Sequence, residues 1–228
     1  MHDDTINQAQ PQNPTNPMTS PTILQATDLS FSYPDHEVFK NLSLALPAGV
    51  TVIRGGDGRG KTSLIRVLAG ELKASSGQLA INGIRLDEQA VQYKQQVYYV
   101  DPRTEAFDQL SVPEYFASVK ARFPDFDDAA LPELLEGLSL TPHAEKKLFM
   151  LSTGSKRKVY LAGAFAAGAA VNLLDDPFAS LDKGSINFVS EVLADFAEEG
   201  EQNRQVWVAS FYETPEGIGA RAIIDLGD

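Results

Sequence analysis

The chain has 228 residues, 43% of them hydrophobic, so it is long enough to bury one sizeable core. It has no cysteine, and its three histidines lack metal-ligand spacing, which excludes disulfides, thiolate metal sites and a structural zinc site. The formal net charge of −12 argues against non-specific binding to nucleic acid or anionic lipid, because neutralising phosphates requires clustered Lys and Arg.

The N-terminal segment is predicted to be a disordered tail. Residues 1–21 contain four prolines and many Gln, Asn and Thr, so they cannot bury enough apolar area to offset the entropy of ordering. The first basic residue is Lys40, which predicts neither a signal nor a transit peptide. The longest apolar stretch, residues 159–171, is too short to span a membrane. We therefore expect a cytoplasmic protein.

The first predicted elements after the tail are strands. Residues 23–32 and 38–46 alternate in hydrophobicity around a turn at 33–36, which predicts an antiparallel hairpin. A short apolar run at 50–53 predicts a buried strand, and residues 63–69 predict a helix that ends near Gly70.

The remaining predicted elements are strands and helices of an α/β domain, with one helical insertion at about 103–150. Within it, Ser111 and Glu114 fit a capping box before one helix, and a second helix is predicted at 129–138. The strands are predicted at 77–83, 97–100, 171–174, 206–209 and 222–226. Two further helices are predicted at 155–168 and after Lys183.

Eight residues between the strand at 50–53 and its helix match the phosphate-loop pattern G-x-x-x-x-G-K-[ST]. They are Gly55, Gly56, Asp57, Gly58, Arg59, Gly60, Lys61 and Thr62. The glycines let backbone N–H groups surround phosphate oxygens at a helix N-terminus, where the helix dipole favours negative charge. Lys61 is placed to reach the β- and γ-phosphates, and the Thr62 hydroxyl to hold Mg²⁺, with Ser63 beside them. The sequence therefore predicts a nucleoside triphosphate site; the alternative is a Gly-rich turn that happens to contain Lys-Thr.

Three later segments carry a family resemblance. Residues 151–158, LSTGSKRK, resemble the L-S-G-G-Q signature of ABC ATPases. Residues 173–177, LLDDP, resemble their Walker B strand, and 179–182, ASLD, their D-loop. From about Ile23 to the C-terminus the chain thus resembles the ATP-binding subunits of ABC transporters. In its length and in Asp-Pro-Phe at 176–178, the chain is similar to the haem-export ATPases of cytochrome c maturation.

The resemblance implies an α/β fold of the P-loop NTPase class. One domain over 22–228 would contain a RecA-like core, an antiparallel β subdomain and the helical subdomain at about 103–150. The cofactors implied are ATP and Mg²⁺. Two subunits of this family close head to tail over two nucleotides, which implies a second ATPase subunit, either the same chain or a paralogue.

The resemblance also implies residue roles. Tyr33 would stack on adenine, although a turn tyrosine that packs locally is the alternative. Asp175 would hold Mg²⁺ with Thr62, and Lys61 and Asp176 would be catalytic. Three residues near the second subunit would complete its nucleotide site: Ser152, Gly154 and Asp182.

Several positions depart from the family pattern. Asp176 stands where most relatives have a Glu, one methylene longer, which shortens its reach toward water. The position of the family's Gln falls near Asp101 or Pro102. The family's His is replaced within Ser210-Phe211-Tyr212, and Tyr212 takes its role if the loop is shifted by one residue. Thr153 and Ser155 replace Gly and Gln in the signature. We expect firm ATP binding and slow hydrolysis.

The resemblance predicts a subunit that couples ATP binding and hydrolysis to transport through separate membrane-spanning subunits. It would lie at the inner face of the membrane, with the helical insertion as its docking region. One alternative is a soluble ABC-type ATPase of translation or DNA maintenance; another is a non-hydrolysing regulatory subunit. The run at 156–158, KRK, is interpreted as a solvated helix face, so no nucleic-acid partner is expected.

Overall fold

The structure is a computed structural model that describes residues 21–199, 202, 204–213 and 215–227. The predicted disordered tail lies outside the described residues except for Pro21. Among the described helices, none combines the length and apolar composition needed to cross a membrane.

The described residues form nine strands and six α-helices. The strands are β1 (Thr22–Tyr33), β2 (His36–Pro47), β3 (Gly49–Arg54), β4 (Ser76–Ile81), β5 (Ile84–Arg85), β6 (Val97–Tyr99), β7 (Val171–Asp175), β8 (Val206–Ser210) and β9 (Ala222–Asp225). The helices are α1 (Lys61–Leu68), α2 (Ala90–Gln95), α3 (Val112–Arg122), α4 (Leu131–Gly137), α5 (Thr153–Ala166) and α6 (Lys183–Glu199). Single 3₁₀ turns lie at Thr141–His143 and Leu148–Met150.

One sheet is antiparallel, with the strand order β2-β1-β4-β5. The predicted hairpin is confirmed, because β1 and β2 pair antiparallel from Thr22 with Pro47 to Tyr33 with His36. The β4–β5 turn is an Asn82-Gly83 pair with both φ angles positive, the combination that favours tight hairpins. Neither β5 nor α2 was predicted, because two and six residues are too few to show a period.

The second sheet is parallel, with the order β6-β7-β8-β3-β9. Its register pairs Ile53 of β3 with Ser210 of β8, and Ser210 with Asp175 of β7. The carboxyl ends of these three strands therefore meet at one level on one edge of the sheet. Ligands of α/β proteins bind at such an edge.

Apolar side chains cover both faces of the parallel sheet, as expected for a sheet buried between layers. Along β8, Trp207 faces the core beneath α3 to α6, whereas Val206 and Val208 face the core that contains α1 and the antiparallel sheet. The Trp207 ring stacks on Phe196 with 4.4 Å between centroids. The interpretation of Trp207 as a core residue is confirmed by its 1% exposure.

In the segment 103–150, helix α3 begins at a side-chain cap, whereas α4 follows a turn that a side chain stabilises. The capping box is confirmed at α3: the Glu114 N–H donates to Ser111 Oγ at 3.4 Å, and the Ser111 N–H donates to Glu114 Oε2 at 2.7 Å. Asp127 Oδ1 accepts from the Ala129 and Ala130 N–H groups. That turn delays α4 to Leu131, two residues later than predicted.

Helix α5 begins two residues earlier than predicted. Ser152 is its N-cap, and the Ser152 Oγ accepts the Ser155 N–H at 3.1 Å. Such a side-chain cap satisfies a donor that the first helical turn would leave unpaired. The helix ends at Ala166, before Gly168 in the left-handed region at φ +65°.

Both the backbone conformation and the close neighbouring atoms are expected to require glycine at position 77. It has φ +91°, and an added Cβ would lie 2.6 Å from Leu29 Cα of β1. We predict that Gly77→Ala lowers the free energy of unfolding by about 1–2 kcal/mol for the backbone conformation and about 1–3 kcal/mol more for the clash.

Gly83→Ala is the matched control for this measurement. Gly83 has a similar φ of +79°, but nothing lies within 4 Å of an added Cβ. Urea unfolding of both variants should therefore show the smaller loss for Gly83→Ala. Equal losses of stability in the two variants would mean that the clash with β1 does not lower the free energy of unfolding.

Candidate functional site

A cleft of about 590 Å³ opens at the carboxyl edge of the parallel sheet. It is bounded by the phosphate loop, the first turn of α1, the residues after β6 and β8, and the end of β7. Its lining residues are Tyr33, Asp57, Gly58, Arg59, Gly60, Lys61, Thr62, Ser63, Arg66, Asp101, Pro102, Arg103, Arg157, Asp175, Asp176, Ala179, Ser210, Phe211 and Tyr212. Most of the predicted nucleotide-binding residues are thus brought together.

The phosphate loop has a backbone that suits glycine. Gly60 is the N-cap of α1 in a left-handed conformation, at φ 94°, and a Cβ there would collide with Val38 Cγ1. The Gly56 N–H donates to the Gly227 carbonyl at 3.0 Å, which ties the loop to the segment that follows β9. Lys61 Nζ donates to the Gly55 and Gly56 carbonyls at 2.5 and 2.9 Å, so its ammonium lies over the loop.

Asp175, the last residue of β7, joins three elements. Its Oδ1 accepts from Thr62 Oγ1 at 3.1 Å and from Ser210 Oγ at 3.0 Å. One carboxylate and one hydroxyl beside a phosphate loop are a ligand set that suits Mg²⁺, which keeps several waters and takes other oxygens from substrate phosphates. No group of three or more His, Cys, Asp or Glu among the described residues forms a separate metal cage.

The backbone N–H and the backbone carbonyl of Asp176 both form hydrogen bonds with side chains. It lies in the left-handed region at φ 48°, which Asp tolerates better than most residues. Its N–H donates to Ser210 Oγ at 3.0 Å, and its carbonyl accepts from Arg157 Nη1. Desolvation raises the pKa of the Asp176 carboxyl, as does the charge of Asp175, against the opposing charges of Arg157 and Lys61. A carboxylate with a raised pKa beside a phosphate site is suited to proton transfer.

Tyr33 lies at the mouth of the cleft and is 45% exposed. Its hydroxyl forms a hydrogen bond of 3.2 Å with Ser63 Oγ, and its ring contacts the Phe31 ring edge-on at 5.0 Å. These contacts orient the ring beside the phosphate loop. Local packing, the alternative role of Tyr33, accounts for only part of its surface, because nearly half of the residue faces solvent.

The segment after β8 presents Tyr212, not Phe211, to solvent at the cleft. Phe211 is 2% exposed and packs on Phe178 at 5.0 Å. Tyr212 is 67% exposed, and Lys61 Nζ lies 5.9 Å from its ring centroid, within cation–π range. The apolar Phe211 side chain belongs to the core, so the polar group available here is the Tyr212 hydroxyl.

Ser152, Gly154 and Asp182 do not line the cleft. An added Cβ on Gly154 would collide with the Ser180 carbonyl, so the start of α5 packs on the D-loop. Asp182 accepts from Lys158 Nζ at 2.5 Å and from the Ser185 N–H at 3.0 Å, which caps α6. The hydrogen bond from Lys158 holds the pKa of Asp182 well below its ordinary value. Within this chain, Asp182 has a structural role.

Sequence reasoning did not assign a role to three polar residues of the cleft, Arg66, Arg103 and Ser210. Ser210 follows the predicted strand at 206–209, so its place at the sheet edge offered a signal.

The interpretation of residues 156–158 as a solvated helix face is wrong, because Lys158 is 8% exposed, Lys156 pairs with Asp108, and Arg157 lines the cleft. The hydrogen bond between Arg157 and Asp176 joins residues 19 apart, and no local pattern indicates it.

A strand, a phosphate loop, a helix and a carboxylate at the end of another parallel strand of the same sheet define a P-loop nucleotide-binding protein. The family model described as ABC transporter matches residues 39–179, more than half of the chain. The chain belongs to the ATP-binding domain family of ABC transporters.

Relatives of known name agree with this assignment. The cytochrome c biogenesis ATP-binding export protein CcmA of Pseudomonas fluorescens (strain Pf0-1) is 32% identical over 184 residues, 80% of this chain and 87% of the relative. The CcmA protein of Paramagnetospirillum magneticum is 36% identical over 167 residues, 72% and 77% of the two chains. The predicted resemblance to haem-export ATPases is confirmed at this level of similarity.

Solved structures support the fold. An ATP-binding subunit of an ABC transporter matches with a TM-score of 0.73 at 24% identity, over 84% of this chain and 80% of that one. A dimeric bacterial ABC transporter cassette matches with a TM-score of 0.74 at 18% identity, over 90% and 94%. The predicted α/β fold of the P-loop ABC class is confirmed.

The raised pKa of Asp176 predicts a pH-dependent change in stability. The folded state binds this proton more tightly than the unfolded state, so the contribution to the free energy of unfolding is highest below about pH 4. It falls as the pH rises through the folded pKa. Asp176→Asn removes this titration, and the variant should therefore gain stability relative to wild type as the pH rises from 4 to 7.

Asp182→Asn is the matched variant with the opposite sign. Because the pKa of Asp182 is lowered, its contribution is present above about pH 4 and is lost as the pH falls through the folded pKa. The variant should be less stable than wild type at pH 7, and the deficit should shrink below pH 4. Urea unfolding at several pH values measures the stability of both variants relative to wild type. Parallel pH profiles for the two variants would contradict the opposite pKa shifts of Asp176 and Asp182.

Proposed function

We propose that this chain is the ATP-binding subunit of an export transporter, and that it couples ATP binding and slow hydrolysis to movement of separate membrane-spanning subunits. The observation that carries the proposal is the Asp175 carboxylate, which meets the hydroxyl of Thr62 at the end of the phosphate loop. Export is supported by the CcmA relatives, which are named as ATP-binding export proteins.

In this proposal the phosphate loop at 55–62 holds the phosphates through its backbone N–H groups, with Ser63 at the same helix N-terminus. Lys61 turns its ammonium from the loop carbonyls to the β- and γ-phosphates. Thr62 and Asp175 hold Mg²⁺, which neutralises phosphate charge when bound. Tyr33 offers an exposed ring to the adenine.

Hydrolysis requires a base for the attacking water, and Asp176 is the carboxylate placed for this role. It accepts the proton of the water as the oxygen attacks the γ-phosphorus. Its side chain is one methylene shorter than Glu, so its carboxylate stands farther from the reacting centre, and small displacements lower such rates steeply. The Phe211 side chain has no polar atom that could donate a hydrogen bond to the γ-phosphate, and it is buried against Phe178. We infer slow turnover.

We further propose that Ser152 and Gly154 complete the nucleotide site of a second ATPase subunit, a copy of this chain or a paralogue. They lie outside the cleft of their own chain, at the N-terminus of a 14-residue helix. The N–H groups of such a terminus suit an anion. Asp182 acts at this interface by fixing the D-loop through Lys158.

Membrane subunits are the proposed partners for transport. The helical segment at about 103–150 is the proposed docking region, which would hold this chain at the inner face of the membrane. The relatives reported above are transporter components, so a role in translation or DNA maintenance is not proposed. A non-hydrolysing regulatory subunit is the second candidate, because Asp176 and Phe211 both depart from the family's catalytic residues.

Lengthening the Asp176 side chain tests the proposed cause of slow hydrolysis. Wild-type turnover should lie below about 1 s⁻¹, the lower end of ordinary enzyme rates. Asp176→Glu should raise kcat about ten- to hundredfold, because the carboxylate regains its reach. Asp176→Ala should remove activity. Steady-state phosphate release with saturating ATP and Mg²⁺ measures all three.

Asp195→Glu is the control, since Asp195 is exposed on α6 outside the cleft and undergoes the same lengthening. It should leave turnover unchanged. No phosphate release by wild type or by Asp176→Glu would favour the regulatory candidate. Fast wild-type turnover would reject the slow-hydrolysis proposal.

A further inference from the structure

Basic side chains gather at the cleft although the chain as a whole is acidic. Five of the lining residues are Lys or Arg and four are Asp, so the lining has a formal net charge of +1 in a chain whose net charge is −12. Arg59 and Lys61 belong to the phosphate loop, and Arg66 to α1. The other two, Arg103 and Arg157, come from the segment after β6 and from α5. Their positions are not explained by the phosphate loop.

A local turn presents Arg103 at the cleft. Asp101 Oδ1 accepts the Arg103 N–H at 2.9 Å, and the Asp101 carbonyl accepts the Thr104 N–H at 2.9 Å. The Asp101 carboxylate is thus committed to its own backbone, as in turns that Asp initiates. Among the described residues, the Arg103 guanidinium has no hydrogen bond or ion pair, and the residue is exposed.

Arg157 lies near Arg103 and is anchored. Its Nη1 donates to the Asp176 carbonyl, while its buried Nε has no partner among the described residues. Loss of solvent is the main cause that lowers the pKa of Arg157; the charges of Asp176 and Asp175 oppose it, and the nearby charge of Arg103 adds to it. Two guanidiniums that repel each other gain stability when an anion approaches them. A phosphate oxygen in the cleft would supply that charge.

We propose that Arg103 contacts the γ-phosphate of bound ATP and takes the place of the neutral amide that the family pattern expects near this position. The inference rests on the proposed function. A guanidinium donates paired N–H groups to phosphate oxygens and stays charged throughout. It distinguishes ATP from ADP, because only ATP carries the group that it contacts.

The same contact acts in hydrolysis. Water forms a bond to the γ-phosphorus as the bond to the bridging oxygen of ADP breaks, and Asp176 accepts the proton of the water. Arg103 transfers no proton; it stabilises the negative charge on the transferring phosphoryl oxygens. Arg157 is a positioning residue in this arrangement, since it holds the Asp176 carbonyl.

Nucleotide titrations of Arg103 variants test the proposal. Calorimetry with Mg²⁺ should show that Arg103→Ala weakens ATP binding about ten- to hundredfold, the range for a charge-assisted hydrogen bond. ADP binding should change less than about twofold, since no γ-phosphate is present. Arg103→Lys should recover part of the ATP affinity, because it keeps the charge without the paired donors. Turnover should fall with ATP affinity.

Arg85→Ala is the matched control, because Arg85 pairs with Asp87 and Glu88 outside the cleft. It should leave both affinities unchanged. An equal loss of ATP and ADP affinity in Arg103→Ala, or no loss of either, would overturn the proposal while leaving the nucleotide site in place. Wild-type protein that binds neither nucleotide would overturn this proposal together with the proposed function.

Discussion

The Asp175 carboxylate accepts hydrogen bonds from Thr62 and Ser210, and the geometry of the cleft depends on this meeting point. Three parallel strands make it possible, because their register places Ile53, Ser210 and Asp175 at one level. The phosphate loop leaves β3 there and enters α1 at Gly60. A shift in the pairing of β8 with either neighbour would separate the phosphate loop from the carboxylate that faces it.

The same point connects the phosphate site to Asp176, the residue proposed to act on water. Ser210 also accepts the Asp176 N–H, while Arg157 of α5 binds the carbonyl of the same residue. The start of α5 packs on the D-loop at Ser180, and Lys158 binds Asp182 farther along. Helix α5 and the residues after β7 are therefore linked at three places.

Features set by contiguous residues could be predicted from the sequence. The phosphate loop between its strand and helix and the capping box at Ser111 each depend on neighbours a few positions apart, which a sequence pattern displays. The order of motifs also predicted the fold class. By contrast, β5 and α2 were too short to show a period. The contact of Arg157 with Asp176 depends on packing between distant segments. The turn at Asp101 is local, but its position at the cleft depends on that packing as well.

The central claim is that this cleft binds ATP with Mg²⁺ through the phosphate loop. Isothermal titration calorimetry of ATP into the 228-residue chain, with and without Mg²⁺, tests it most directly. We expect one ATP per chain, Mg²⁺-dependent affinity, and at least about a tenfold loss in Lys61→Ala, where a charged phosphate contact is removed. Folded wild-type protein that shows no ATP binding in the presence of Mg²⁺ would contradict the account.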